Sequence, residues 1–193
     1  MKKTLLLTLV LAGCATNGTD APKPDAAQVG EMRAVAGTLA TRLGGRLKQE
    51  LEANGPESAI GVCKKIAPQI AGDLSRETGW TVGRVGTRAR NAETGVPDAW
   101  ESRALATFAE RMKQGEKPET LELAEVVTAP SGKRHLRYAK AIAVQPLCVT
   151  CHGAPEQMPE GVKARLQAEY PLDQATGYHV GDLRGAVVIK RPL

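Results

Sequence analysis

Pro146-Leu147-Cys148-Val149-Thr150-Cys151-His152-Gly153 sets two thiols three positions apart, with a histidine directly after the second. That spacing is the attachment motif of a c-type haem. Each thiol can add to one vinyl group of the porphyrin, which leaves the imidazole of His152 beneath the iron as an axial ligand. Two other uses of paired thiols compete with this reading. A structural zinc site needs four nitrogen or sulfur ligands, and the chain has no second Cys-x-x-Cys. A thioredoxin-like pair wants a strand before it and a helix beginning at the first cysteine. Pro146 in front, with Gly153 and Pro155 behind, predicts no helix running through the cysteines. The haem reading makes the rest of the chain a wrapping for a porphyrin.

Working outward, residues 134–144 before the motif and 183–189 after it read as strands. So do residues 121–128, joined to the next strand through Ser131-Gly132, and Trp80-Thr81-Val82-Gly83-Arg84-Val85. A short helix is expected over residues 159–169, and another over 98–113 with Trp100, Leu105, Phe108 and Met112 inward. Further upstream, Met32, Ala36, Leu39, Leu43, Leu47 and Leu51 recur at three- and four-residue steps, an amphipathic helix over residues 28–53. Gly44-Gly45 weakens it, Asn54-Gly55 stops it, and Pro56 suits the opening of the next. That second helix, residues 56–78, carries Ile60, Cys63, Ala67, Ile70 and Leu74 on one stripe. Pro68 has no N–H for the carbonyl of Lys64, so a kink is expected just after Cys63. Helices first and antiparallel strands later give an α+β fold with a small sheet, one domain over residues 28–193.

At 193 residues, with 42% hydrophobic and 24% charged residues, the chain has the composition of an ordinary globule. Aromatic content is only 3%, a light core unless a porphyrin helps to fill it. Lys2 and Lys3 precede a short apolar run that ends Leu11-Ala12-Gly13-Cys14. This is a secretory signal, too short to span a bilayer. Its ending resembles the bacterial lipobox, so residues 1–13 are expected to be removed and Cys14 to carry lipid on the periplasmic side of a bacterial membrane. Residues 14–27 are small, polar and proline-containing, a tether reaching about 20 Å. Cleavage leaves 24 basic against 21 acidic residues, a net charge of +3 that is too mild to argue for nucleic acid. With Cys14 given to lipid and Cys148 and Cys151 to thioethers, Cys63 is left alone.

The residues leave the second iron ligand open among Cys63, Met158, His179, His135, Met112 and Met32. Cys63 leads because it lies on an apolar stripe and has no other role; its competing use is as a small buried core thiol. Arg84, Arg88 and Arg90 can pair with haem propionates, each guanidinium matching a carboxylate with two parallel hydrogen bonds. Alternating arginines are equally at home on a solvated strand face.

Four stretches, read together, carry a family resemblance. They are Cys63-Lys64-Lys65-Ile66-Ala67-Pro68; Val82-Gly83-Arg84 with Arg88-Ala89-Arg90-Asn91 and Pro97-Asp98-Ala99-Trp100-Glu101; Tyr138-Ala139-Lys140 with Cys148-Val149-Thr150-Cys151-His152-Gly153; and Gly181-Asp182-Leu183-Arg184-Gly185-Ala186. In this order and spacing they resemble the PAS-like haem domain, formerly a domain of unknown function, found in secreted proteins and in sensor regions of bacterial kinases. The resemblance runs from about residue 32 to residue 189. It implies a PAS-like antiparallel sheet flanked by helices and one covalent haem c with Cys63 and His152 as axial ligands. Ala92 departs from the family, which more often has proline after the asparagine; only the local turn is touched.

The expected function is therefore a non-catalytic haem protein, exported and lipid-anchored, acting in electron transfer or in redox or gas sensing. No output domain follows Leu193, so a redox or signalling partner is expected, and a homodimer stays open. The alternative class is an enzyme, either a thiol–disulfide oxidoreductase using Cys148 and Cys151 or a haem peroxidase. A peroxidase would need a distal acid–base group and an open iron face. Ser-His-Asp, glycine-rich phosphate and metal-hydrolase motifs are absent.

Overall fold

The Asp25 carboxylate accepts the Ala27 N–H at 3.3 Å and so caps the first helix. The computed structural model describes residues 23–193, and Cys14 with the expected signal segment lies outside them. Helix α1 spans Ala26–Gly61 and takes up the last two residues of the expected tether. Its path breaks at Gly55, whose φ of 79° and ψ of 178° no helix allows, and Pro56 starts the continuation, as the sequence predicts.

The kink expected at Pro68 takes a specific form. Val62–Ile66 is a π turn between α1 and helix α2, Ala67–Thr78, and the Ala67 N–H bonds back five residues to the Val62 carbonyl. A π turn shifts the ladder by one residue, so the N–H that Pro68 lacks no longer interrupts a regular i→i+4 run. Cys63 sits inside that widened turn.

Strand β1 is Thr81–Gly86, helix α3 Ala99–Lys113, β2 Glu122–Thr128 and β3 Arg134–Ala143; after the attachment segment come helix α5, Glu160–Glu169, and β4, Leu183–Pro192. The attachment segment itself holds one helical turn, α4, Val149–His152. Asp98 and Glu101 close a capping box at the start of α3. The strands pair antiparallel in the order β1-β4-β3-β2. The attachment segment is thus the connection between the two central strands. It leaves β3 beside a register shift at Ile142/Ala143.

Alternation along the strands divides the core. Met32, Ala36, Leu39, Leu43, Ile70 and Leu74 pack on Val82, Leu136, Tyr138, Val187 and Ile189 on one face. Trp100, Ala104, Leu105 and Phe108 of α3 pack on Val85, Ala139, Ala141, Ala186 and Val188 on the other. Arg84, two residues from Val82, belongs to the α1–α2 side. The α+β expectation, a small antiparallel sheet flanked by helices in one domain, is borne out.

Candidate cofactor site

Beyond β3, Pro146–Cys148 forms a 3₁₀ turn and α4 follows at once, so two single helical turns pass through the motif after all. Proline is at home in the first turn of a helix, where its missing N–H would have no partner anyway. Gly153 ends the segment. Its N–H donates to the Val149 carbonyl at 2.8 Å, and a Cβ there would stand 2.5 Å from that same oxygen. The chain can therefore turn away right after His152 only with glycine in place.

The His152 Nδ1 lies 2.7 Å from the Ala175 carbonyl oxygen. A carbonyl only accepts, so Nδ1 carries the proton and Nε2 keeps its lone pair. Burial, reinforced by the Arg90 and Arg184 guanidinia, pushes the imidazole down to about 3, and it is neutral at physiological pH. The Tyr178 ring meets it edge-on, 6.3 Å between centroids and 86° between planes.

A cavity of about 220 Å³ opens beside this ring. Cys63, Cys148, Cys151 and His152 all line it, together with Arg84 and Arg184 and with Leu43, Leu47 and Leu51 of α1. Burial pushes the Cys148 and Cys151 thiols up. Of the six residues named as possible second ligands, Cys63 alone lines the cavity. Met158 packs with Ile60, Val162, Leu166 and Tyr170. His179 is exposed beside Asp182. His135 pairs with Pro192 at the far end of β3. Met112 and Met32 pack on opposite sides of the sheet.

The arginines divide. Arg84 lines the cavity, and burial pulls its guanidinium below the usual range. Among the described residues it has neither a carboxylate nor a hydrogen-bonding partner within the chain. Arg88 is exposed and stacks 3.9 Å over the Tyr178 ring, away from the cavity lining. Arg90 reaches the lining, but its guanidinium is occupied by Asp173 and by the Cys151 and Ala175 carbonyls. Pairing all three with propionates does not survive this geometry. Arg184 lines the cavity as well, without a carboxylate partner among the described residues, its Nη1 donating to the Arg88 carbonyl at 3.1 Å. Its place within Gly181-Asp182-Leu183-Arg184-Gly185-Ala186 was the sequence signal that could have found it.

The sequence matches the Tll0287-like family over residues 19–192. This chain belongs to that family. The match bears out the resemblance drawn from the four stretches. A solved structure, described as that of the cyanobacterial heme-protein Tll0287, superposes with a TM-score of 0.65 at 24% identity, covering 88% of this chain and 97% of the other. At that identity the likeness carries the fold. No curated protein matches. In this member of the Tll0287-like family the turn touched by Ala92 is built without proline. The Asn91 side-chain oxygen accepts the N–H groups of Glu93 at 2.8 Å and Thr94 at 3.2 Å.

Proposed function

We propose that this chain is an exported, lipid-anchored protein carrying one covalent haem c, which transfers electrons or senses redox state or a gas at the periplasmic side of a bacterial membrane. The convergence of Cys63, Cys148, Cys151 and His152 on one cavity carries this reading. The donor set fits a haem three ways. Two thiols stand ready for the vinyl groups, a neutral imidazole offers Nε2, and two guanidinia on the wall, Arg84 and Arg184, match two propionates. The name of the solved relative, a heme-protein, points the same way.

On this reading Cys148 and Cys151 would hold the porphyrin through thioethers, and His152 and Cys63 would ligate its iron. The bound haem supplies a one-electron Fe(III)/Fe(II) couple. Leu43, Leu47, Leu51 and Ile142 give the pocket an apolar lining. Bound to that iron, the Cys63 sulfur would donate electron density and favour the ferric state, so a low reduction potential would follow. Cys14 supplies the lipid, and a partner protein exchanges the electron or reads the signal. A thiol–disulfide enzyme is less well supported. An attacking thiol works best with its pKa near ambient pH, whereas burial raises both candidates here.

The test is the absorption spectrum of the membrane-extracted protein, made in cells able to mature cytochromes and denatured in alkaline pyridine. A c-type haemochrome that stays with the polypeptide is expected. Colourless protein overturns the proposal.

A further inference from the structure

Arg90 is the one charged residue that is fully buried among the described residues, 7% exposed. Removing a guanidinium from water is costly unless its partners are well placed. Here each partner belongs to the environment of His152. Nε donates to Asp173 Oδ2 at 2.9 Å, while Nη2 donates to the Ala175 carbonyl at 3.2 Å and to the Cys151 carbonyl. The other Asp173 oxygen accepts the Ala175 N–H at 2.8 Å. The Ala175 carbonyl is the same oxygen that accepts the His152 Nδ1 proton at 2.7 Å. One side chain thus ties the residue before His152 to the carbonyl that orients its ring. The backbone completes the clasp: Gln174 N–H to Ala89 O at 3.0 Å, Gly177 N–H to Gly153 O at 2.7 Å and Tyr178 N–H to His152 O at 2.9 Å.

We infer that Arg90 and Asp173 are positioning residues that aim the His152 imidazole, fixing both the Ala175 carbonyl and the Cys151 carbonyl next to the ring. The inference rests on the assignment of His152 to the iron. Groups bonded to the far nitrogen of a ligating histidine set its tautomer, its orientation and its basicity. Loosening the carbonyl weakens donation from the ring, which stabilises the ferric state less, so the reduction potential rises.

A different role for the same pair makes the opposite forecast. If the two charges acted only through their field, Arg90→Gln would lower the potential by removing a cation, and Asp173→Asn would raise it by removing an anion. Arg90→Lys would then leave it near that of the parent. Positioning requires all three to raise it, because a lysine ammonium cannot reproduce the planar fork. Asp173→Asn keeps an oxygen for the Ala175 N–H, and it and Arg90→Lys carry the test if Arg90→Gln fails to fold.

The experiment is redox potentiometry with ferric EPR on the haem-loaded full chain. The expected result is a rise in potential and altered, broadened ferric g-values in every variant, with the haem still covalently attached. Opposite shifts in Arg90→Gln and Asp173→Asn, or an Arg90→Lys protein indistinguishable from the parent, overturn the proposal. His152→Ala, run in parallel, separates the two levels. If it leaves the ferric spectrum as in the parent, the ligand assignment falls and the positioning role with it. If it changes the spectrum while the other variants behave as the field forecast has it, the positioning role falls alone.

Discussion

The cavity has two walls built in different ways. The wall that carries Cys148, Cys151 and His152 is two single helical turns, tied down by an Arg90–Asp173 ion pair with side chains 7% and 11% exposed, a carbonyl on the imidazole and a clasp of backbone bonds. The wall that carries Cys63 is helical, yet its helix is irregular there, a π turn whose N–H ladder is shifted around Pro68. Its polar tie to the opposite side is Lys64, which reaches Glu169 at the end of α5 and lies 5.7 Å from the Tyr170 ring. Both walls are helical turns, and what separates them is the number of ties that hold each in place. Many independent ties raise the free energy of local opening, and few ties lower it. On the proposed haem reading, the ligand that is held lies in the first wall and the ligand able to give lies in the second.

Removing donors from either wall gives the largest contrast. Cys148→Ser with Cys151→Ser abolishes covalent attachment, so acidified acetone extracts whatever pigment remains and the denatured polypeptide shows no haemochrome. Cys63→Ala, by comparison, keeps the haem on the chain through denaturation and alters the ferric absorption spectrum. A Cys63→Ala protein with the parent's ferric spectrum would break the comparison, because the helical wall would then carry no ligand.

Next in size is the response to pH of the chain without haem, which probes the tied wall. The His152 imidazole is lowered from 6.5 to about 3, chiefly by burial. Between those values the unfolded chain binds a proton that the folded chain refuses, so stability falls as pH falls from 6.5 toward 3. The full effect amounts to a few kcal/mol. Urea midpoints measured at pH 7 and pH 5 are expected to drop, and His152→Gln should flatten much of the fall. An equal drop in that variant would place the sensitivity in other groups.

Most of the architecture was legible because it is written in local patterns. The apolar spacing of α1, the break at Asn54-Gly55 and the turn at Ser131-Gly132 all act within a few residues of themselves. Pro68 foretold an irregularity at Cys63 but not its form, since a kink and a π turn answer the same missing N–H. The site was legible where chemistry fixes spacing, as in Cys148-x-x-Cys151-His152. It was not legible where the backbone acts. Nothing in the letter Ala175 says that its carbonyl will meet an imidazole 23 residues away. The arginines failed for a related reason: Arg84, Arg88 and Arg90 look alike in sequence, and only the bend after β1 separates one facing the cavity from one on the surface and one locked to Asp173.

The smallest effect expected is at Lys64, and it is the finest probe of the contrast. The Lys64 and Glu169 side chains are 39% and 21% exposed, so solvent screens the pair and breaking it costs little global stability. Lys64→Met keeps an unbranched apolar stem while removing the ammonium that holds the Glu169 carboxylate and carbonyl and lies over Tyr170. If the helical wall depends on that tie, amide hydrogen exchange in Val62–Ile66 speeds up while the amides of Gly177 and Tyr178, which clasp the other wall, keep the parent's rates. The thermal midpoint should hardly move. Equal acceleration on both sides would mean that the walls open as one unit, and the division of labour between a fixed imidazole and a yielding thiol would lose its physical basis.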